Sequence, residues 1–124
     1  MPPLLLVMLG GALGSGARYL AGRVASVQLG TGYPWGTLAV NLIGGLLMGA
    51  LVGVFAQRGG NEPARLFLAV GILGGFTTFS SFSLDMMTMI ERGVWPAALA
   101  YAAVSVFGAL AALFAGLMLT RAIA

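Results

Sequence analysis

Long apolar runs alternate with short polar links along this chain. Apolar residues dominate from about Leu4 to Val24, Pro34 to Phe55, Ala64 to Ile90 and Trp95 to Leu119. The links Ser26–Tyr33, Gln57–Pro63 and Glu91–Gly93 separate them. About 20 apolar helical residues cross the hydrocarbon core of a bilayer, so the pattern predicts four transmembrane helices. The links leave no room for a soluble domain, and residues 1–124 read as one all-α membrane domain. Tyr33 and Trp35 open the second run and Trp95 opens the fourth, where aromatic residues anchor at the interface. Pro34 and Pro96 fall at first-turn positions. The first run does not read as a signal peptide, because Pro2 and Pro3 stand where a basic segment would be.

Composition agrees and narrows the chemistry. Hydrophobic residues make up 60% and charged residues 7% of the 124, with a mean hydropathy of +1.02. A soluble domain carries about 25% charged residues to keep its surface wet. There is no Cys and no His, so thiolate and imidazole chemistry are excluded. Glu62, Asp85 and Glu91 are too few and too peripheral for a catalytic carboxylate pair. The chain does not read as an enzyme. A net charge of +3 without a basic cluster offers nucleic acid no footprint.

The arginines orient the chain weakly. Arg58, Arg65 and Arg121 fall on one side of the predicted topology, Arg23 and Arg92 on the other, and Arg18 lies inside the first run. So small a bias sets orientation poorly. Either a small protein has few charges to spare, or it inserts both ways and pairs antiparallel.

Polar residues inside apolar runs carry the functional signal, because they are costly there. The densest group lies in the third run, where Gly74-Gly75-Phe76 leads into Thr77, Thr78, Ser80, Ser81 and Ser83. Paired glycines make a poor helix interior, and hydroxyls can satisfy backbone groups freed by a break. The spacing predicts that the third helix unwinds near Gly74–Thr78 at mid-membrane and restarts near Thr78–Ser80. Half-helix ends at such breaks serve ion sites. The alternative is a small-residue packing seam. Phe79 and Phe82, three apart, share a face, and their electropositive ring edges suit a small anion unless they are core or lipid-facing aromatics. In the second run Thr37, Asn41, Gly45, Gly49 and Gly53 form one stripe. Its glycines read as close packing, and Asn41 as interhelical glue or a donor on a polar path. Gly10, Gly11, Gly14 and Gly16 give the first run a close-packing face, and Arg18 beyond them snorkels or gathers anions. In the fourth run Tyr101 and Ser105 are four apart, and Gly108, Ala112 and Gly116 form a small stripe. Asp85 either pairs with an arginine or is solvated. Neutral donors without an acidic ring suit an uncharged, narrow path, and a dimer is the simplest way to enclose one.

Three motifs occur together: Gly10-Gly11-x-x-Gly14-x-x-Ala17-Arg18-Tyr19, Gly36-Thr37-Leu38-x-Val40-Asn41-x-x-Gly44, and Gly74-Gly75-Phe76-Thr77-Thr78-Phe79-Ser80-Ser81-Phe82-Ser83. With these motifs the chain resembles the Fluc family of fluoride channels, also called CrcB, over essentially its whole length. The resemblance implies an antiparallel, dual-topology homodimer in the inner (plasma) membrane, with two pores that export fluoride passively and lower its toxicity in the cytoplasm. It implies a fluoride path along Asn41, Phe79, Phe82, Ser80, Thr37 and Tyr101, and a vestibule at Arg18. It implies a structural Na+ on the dimer axis, held by the backbone carbonyls of Gly74 and Thr77. Ser81 stands where the family often has Thr and keeps the hydroxyl. A small dual-topology multidrug exporter would need a membrane-embedded carboxylate, which the first run lacks. A scaffold subunit would explain the glycine stripes but not the hydroxyl-rich break.

Overall fold

A computed structural model describes residues 1–123. It is all-helical among the described residues, with α1 Pro3–Leu29, α2 Trp35–Arg58, α3 Glu62–Ala64, a π-helix Arg65–Leu73, α4 Gly74–Phe76, α5 Phe79–Glu91 and α6 Trp95–Ile123. α1, α2, the composite segment Glu62–Glu91 and α6 are each long and apolar enough to cross a membrane. The four predicted spans are therefore present, and most run longer than the apolar pattern. α1 passes through Ser26 and stops at Gly30, whose φ of 84° no L side chain adopts readily. The predicted Ser26–Tyr33 link is thus helical for its first half. α2 likewise runs on to Arg58 and stops at Gly59, φ 78°. Polar residues at a span's end face water and headgroups, so helix continues until a backbone signal stops it. Pro34 lies one residue before α2 rather than in its first turn, whereas Pro96 is the second residue of α6. Asn61 caps α3, its side chain accepting the Ala64 N–H at 2.9 Å.

Backbone contact between helices follows the glycines. α2 and α6 pack most extensively. A Cβ on Gly45 would meet the Ala109 carbonyl, and one on Gly49 would meet the Leu113 carbonyl. Gly116 answers from α6 against Leu46 and Ala50. α1 lies against the π-helix and α4 in the same way, with Gly10 against Gly71 and Gly14 against the Ile72 carbonyl. Where hydrocarbon replaces water outside, association relies on such close van der Waals packing. The buried cluster is small: Leu38, Met89, Ala98 and Tyr101, bordered by Tyr33, Leu42 and Phe82. Large apolar side chains such as Leu20, Phe79, Phe107 and Phe114 point outward.

The third span is broken, but over a shorter stretch than its glycines predict. Gly74, Gly75 and Phe76 remain helical, and only Thr77 (φ −87°, ψ 157°) and Thr78 (φ −151°, ψ 120°) are extended. Gly75 serves packing instead of unwinding, since a Cβ on it would lie 2.7 Å from the Gly11 carbonyl oxygen, whereas Gly74 has room for one. The hydroxyls then finish the ends. Thr77 Oγ1 donates to the Leu73 carbonyl at 2.9 Å, and Thr78 Oγ1 accepts the Ser81 N–H at 3.1 Å as the N-cap of α5.

Candidate functional site

The break is held from both neighbouring helices. Asn41, in the second turn of α2, faces Thr78 with its whole amide. Its Oδ1 accepts the Thr78 N–H at 2.8 Å, and its Nδ2 donates to the Thr78 carbonyl at 3.1 Å. From α1, Arg18 Nε donates to the Gly75 carbonyl at 3.1 Å, placing a cation at the C-terminal end of α4. The peptide segment between Gly75 and Thr78 is thus fixed by two side chains from two different helices.

Two open cavities share Thr78 as a wall. The first, about 380 Å³, is lined by Asn41, Thr77, Thr78, Phe79, Phe82 and Ser105, with Gly44, Gly45, Met48 and other apolar residues between them, and no charged side chain lines it. The Ser105 hydroxyl is the one buried side-chain polar atom without a hydrogen-bond partner among the described residues. Buried polar groups are normally paired, so this hydroxyl is available to whatever occupies the cavity. Asn41 has a second Nδ2 hydrogen beyond the one that Thr78 takes. Phe79 and Phe82 stand with ring centroids 5.6 Å apart and planes 40° apart. Phe79 is 78% exposed and closes nothing within one chain. The second cavity, about 390 Å³, is lined by Arg18, Arg23, Ser26, Thr37, Thr78 and Ser81. Its two guanidiniums favour anions.

The structure therefore brings Asn41, Thr77, Phe79 and Phe82 to one cavity and Arg18 and Thr37 to the other. Ser80, Tyr101 and Gly74 line neither. The Ser80 hydroxyl lies 3.3 Å from Thr78 Oγ1. Tyr101 is fully buried behind Phe82, ring centroids 5.2 Å apart, and its hydroxyl donates to Asp85 Oδ2 at 2.9 Å. Asp85 accordingly has a phenol for its partner, not an arginine and not water alone. Tyr33 meets Tyr101 edge to face and sits at the Asp85 end of the bundle, where burial raises its own phenol pKa. Sequence reasoning left Ser105 out of the pathway. The signal was present, since it lies one helical turn from Tyr101 in an otherwise apolar run. Among the described residues no cluster of three His, Asp or Glu forms a side-chain metal site.

Four apolar spans, one of them broken beside an uncharged cavity, define a small multi-pass membrane protein. The chain belongs to the family described as CrcB-like protein, Camphor Resistance (CrcB), whose profile matches residues 5–117. It is 56% identical over 123 residues to a protein of Phenylobacterium zucineum, covering 98% of this chain and 97% of the other. It is 53% identical over 123 residues to one of Caulobacter vibrioides, with the same coverage. It is 51% identical over 120 residues to one of Mesorhizobium japonicum, covering 97% of each. All three relatives carry the name Fluoride-specific ion channel FluC.

Proposed function

We propose that this protein is a fluoride-selective channel, not an enzyme, and that it works as an antiparallel dual-topology homodimer in the plasma membrane. Two pores per dimer export fluoride passively and lower its toxicity in the cytoplasm. The observation that carries the reading is the first cavity. Ser105, with a buried and unpartnered hydroxyl, and Asn41, with a spare N–H, line a space walled by two phenyl groups and free of charge. Small hard acceptors take hydrogen bonds from such donors, and ring edges add positive potential without a full charge. A fixed cation there would hold an anion; neutral donors let it leave. The relatives' names supply the identity of the ion.

In this path Asn41 and Ser105 donate to fluoride, and Phe79 and Phe82 offer ring edges. Ser80 and Thr37 contribute hydroxyls near the two sides of Thr78. Tyr101 supports Phe82 from behind. Arg18, with Arg23 beside it, raises the anion concentration in the second cavity. The dimer is supported by the outward-facing Phe79 and the open side of the first cavity, since a pore wall requires a second surface. The near balance of arginines across the membrane supports insertion in both orientations.

The carbonyls of Gly74 and Thr77 fit a structural Na+. Thr78 gives its N–H to Asn41, which frees the Gly74 carbonyl of its helical partner, and Thr77 is extended. Held there, such an ion would supply a positive charge that offsets the carbonyl dipoles freed at the break.

Fluoride efflux from proteoliposomes tests the reading, with valinomycin and a potassium gradient setting the voltage and chloride as the control. The expected result is fast, valinomycin-dependent release of fluoride and none of chloride. No release from a folded dimer in Na+ would overturn the reading and favour a scaffold subunit. Release coupled to proton uptake would favour an exporter.

A further inference from the structure

We infer that Asn41 is a positioning residue: its carboxamide replaces the helix bonds that Thr78 loses and thereby sets the geometry of the break. In an unbroken helix the Thr78 N–H would bond to the Gly74 carbonyl. Here it bonds to Asn41 Oδ1 at 2.8 Å, while the Thr78 carbonyl accepts from Asn41 Nδ2 at 3.1 Å. Both backbone groups of one residue are served by one side chain from another span. Unsatisfied backbone groups at membrane depth cost several kcal/mol each, so this pairing decides whether an extended Thr78 is tolerated. Only a group with a donor and an acceptor side by side can make it. Leu matches the shape of Asn and makes neither bond. An ionised Asp can accept from the N–H, but it turns a second acceptor toward the Thr78 carbonyl. A protonated Asp again presents O–H beside C=O and restores the match. No charged side chain lines the first cavity, but Arg18 and Arg23 line the second on the other side of Thr78 and favour the ionised form of Asn41→Asp, so its acid recovery falls at a lower pH than for a carboxylate away from arginines.

Thr78 carries the N-cap of α5 and its hydroxyl meets Ser80, so a released Thr78 displaces the start of α5 and with it Phe79 and Phe82. The consequence for conduction rests on the channel reading; the clamp itself does not. The test therefore reads structure. Hydrogen exchange of the segment 76–82 is compared, in the absence of fluoride, among the wild type, Asn41→Leu and Asn41→Asp. Each variant is referred to the wild type at the same pH.

At neutral pH the segment should exchange about tenfold faster in both variants, the loss expected for one or two net hydrogen bonds. At acid pH Asn41→Asp should return toward the wild type and Asn41→Leu should not. The acid recovery within one folded protein also separates positioning from a general loss of packing, and it serves alone if Asn41→Leu does not fold. Unchanged protection of 76–82 in the variants, or an Asn41→Asp difference that does not depend on pH, would overturn the clamp. If the wild type conducts no fluoride while the exchange pattern holds, the channel reading fails and the clamp stands.

Discussion

Ser105 is the residue on which the cavity's chemistry is most open to measurement. The residue is 7% exposed, and its buried hydroxyl has no partner. An unpaired buried hydroxyl destabilises a fold, so removing it relieves about 1 kcal/mol, whereas removing a donor to a passing ion raises that ion's energy. Ser105→Ala should therefore unfold at the same or a higher temperature than the wild type while fluoride efflux slows about tenfold. A parallel loss of stability and flux would assign Ser105 to structure alone. Individual polar residues of this kind are legible in a membrane sequence, because hydrocarbon makes each of them conspicuous. Asn41, Thr77 and Ser105 could all be picked out of apolar runs. What each one touches could not. Asn41 faces Thr78, 37 positions away, and Asp85 receives the Tyr101 hydroxyl, 16 away, rather than a guanidinium.

Among the elements, α2 and α6 depend on their glycines for contact. Gly49 has the Leu113 carbonyl where its Cβ would be, and backbone cannot move aside as a side chain can. Gly49→Leu should cost at least the roughly 1–3 kcal/mol typical of overpacking. Gly16, with open space around its Cβ position, is the control: Gly16→Ala should stay within about 1 kcal/mol of the wild type, helped by better helix propensity. Size-exclusion profiles and thermal unfolding of the two variants separate these outcomes. The stripes themselves were legible as four-residue spacings. The π-helix Arg65–Leu73 was not, because its residues have no composition that distinguishes them from α-helix. Its place against Gly10 and Gly14 of α1 shows only in three dimensions. Gly75, packed against the Gly11 carbonyl of α1, stays helical, and the extended residues are Thr77 and Thr78.

For the whole molecule, the proposed Na+ makes dimer stability a function of one ion's concentration. If the Gly74 and Thr77 carbonyls bind Na+ in the native dimer only, raising Na+ to about a hundred times its dissociation constant should add about 2.7 kcal/mol by mass action. Thermal unfolding in Na+ against N-methylglucamine, at equal ionic strength, reads that difference. Identical curves would remove the ion from the structure. The sequence by itself determined four spans, their order and their short links, because the length of an apolar run and the thickness of a bilayer leave little choice. It also determined that the polar chemistry is neutral, because nine charged residues at most are available and few lie inside a span. The tertiary structure decided how short the break in the third span is, which amide holds it and which hydroxyl is left free. Those outcomes depend on how closely α1 and α2 approach the third span. That distance is set by atoms from different spans meeting, and no local pattern records it.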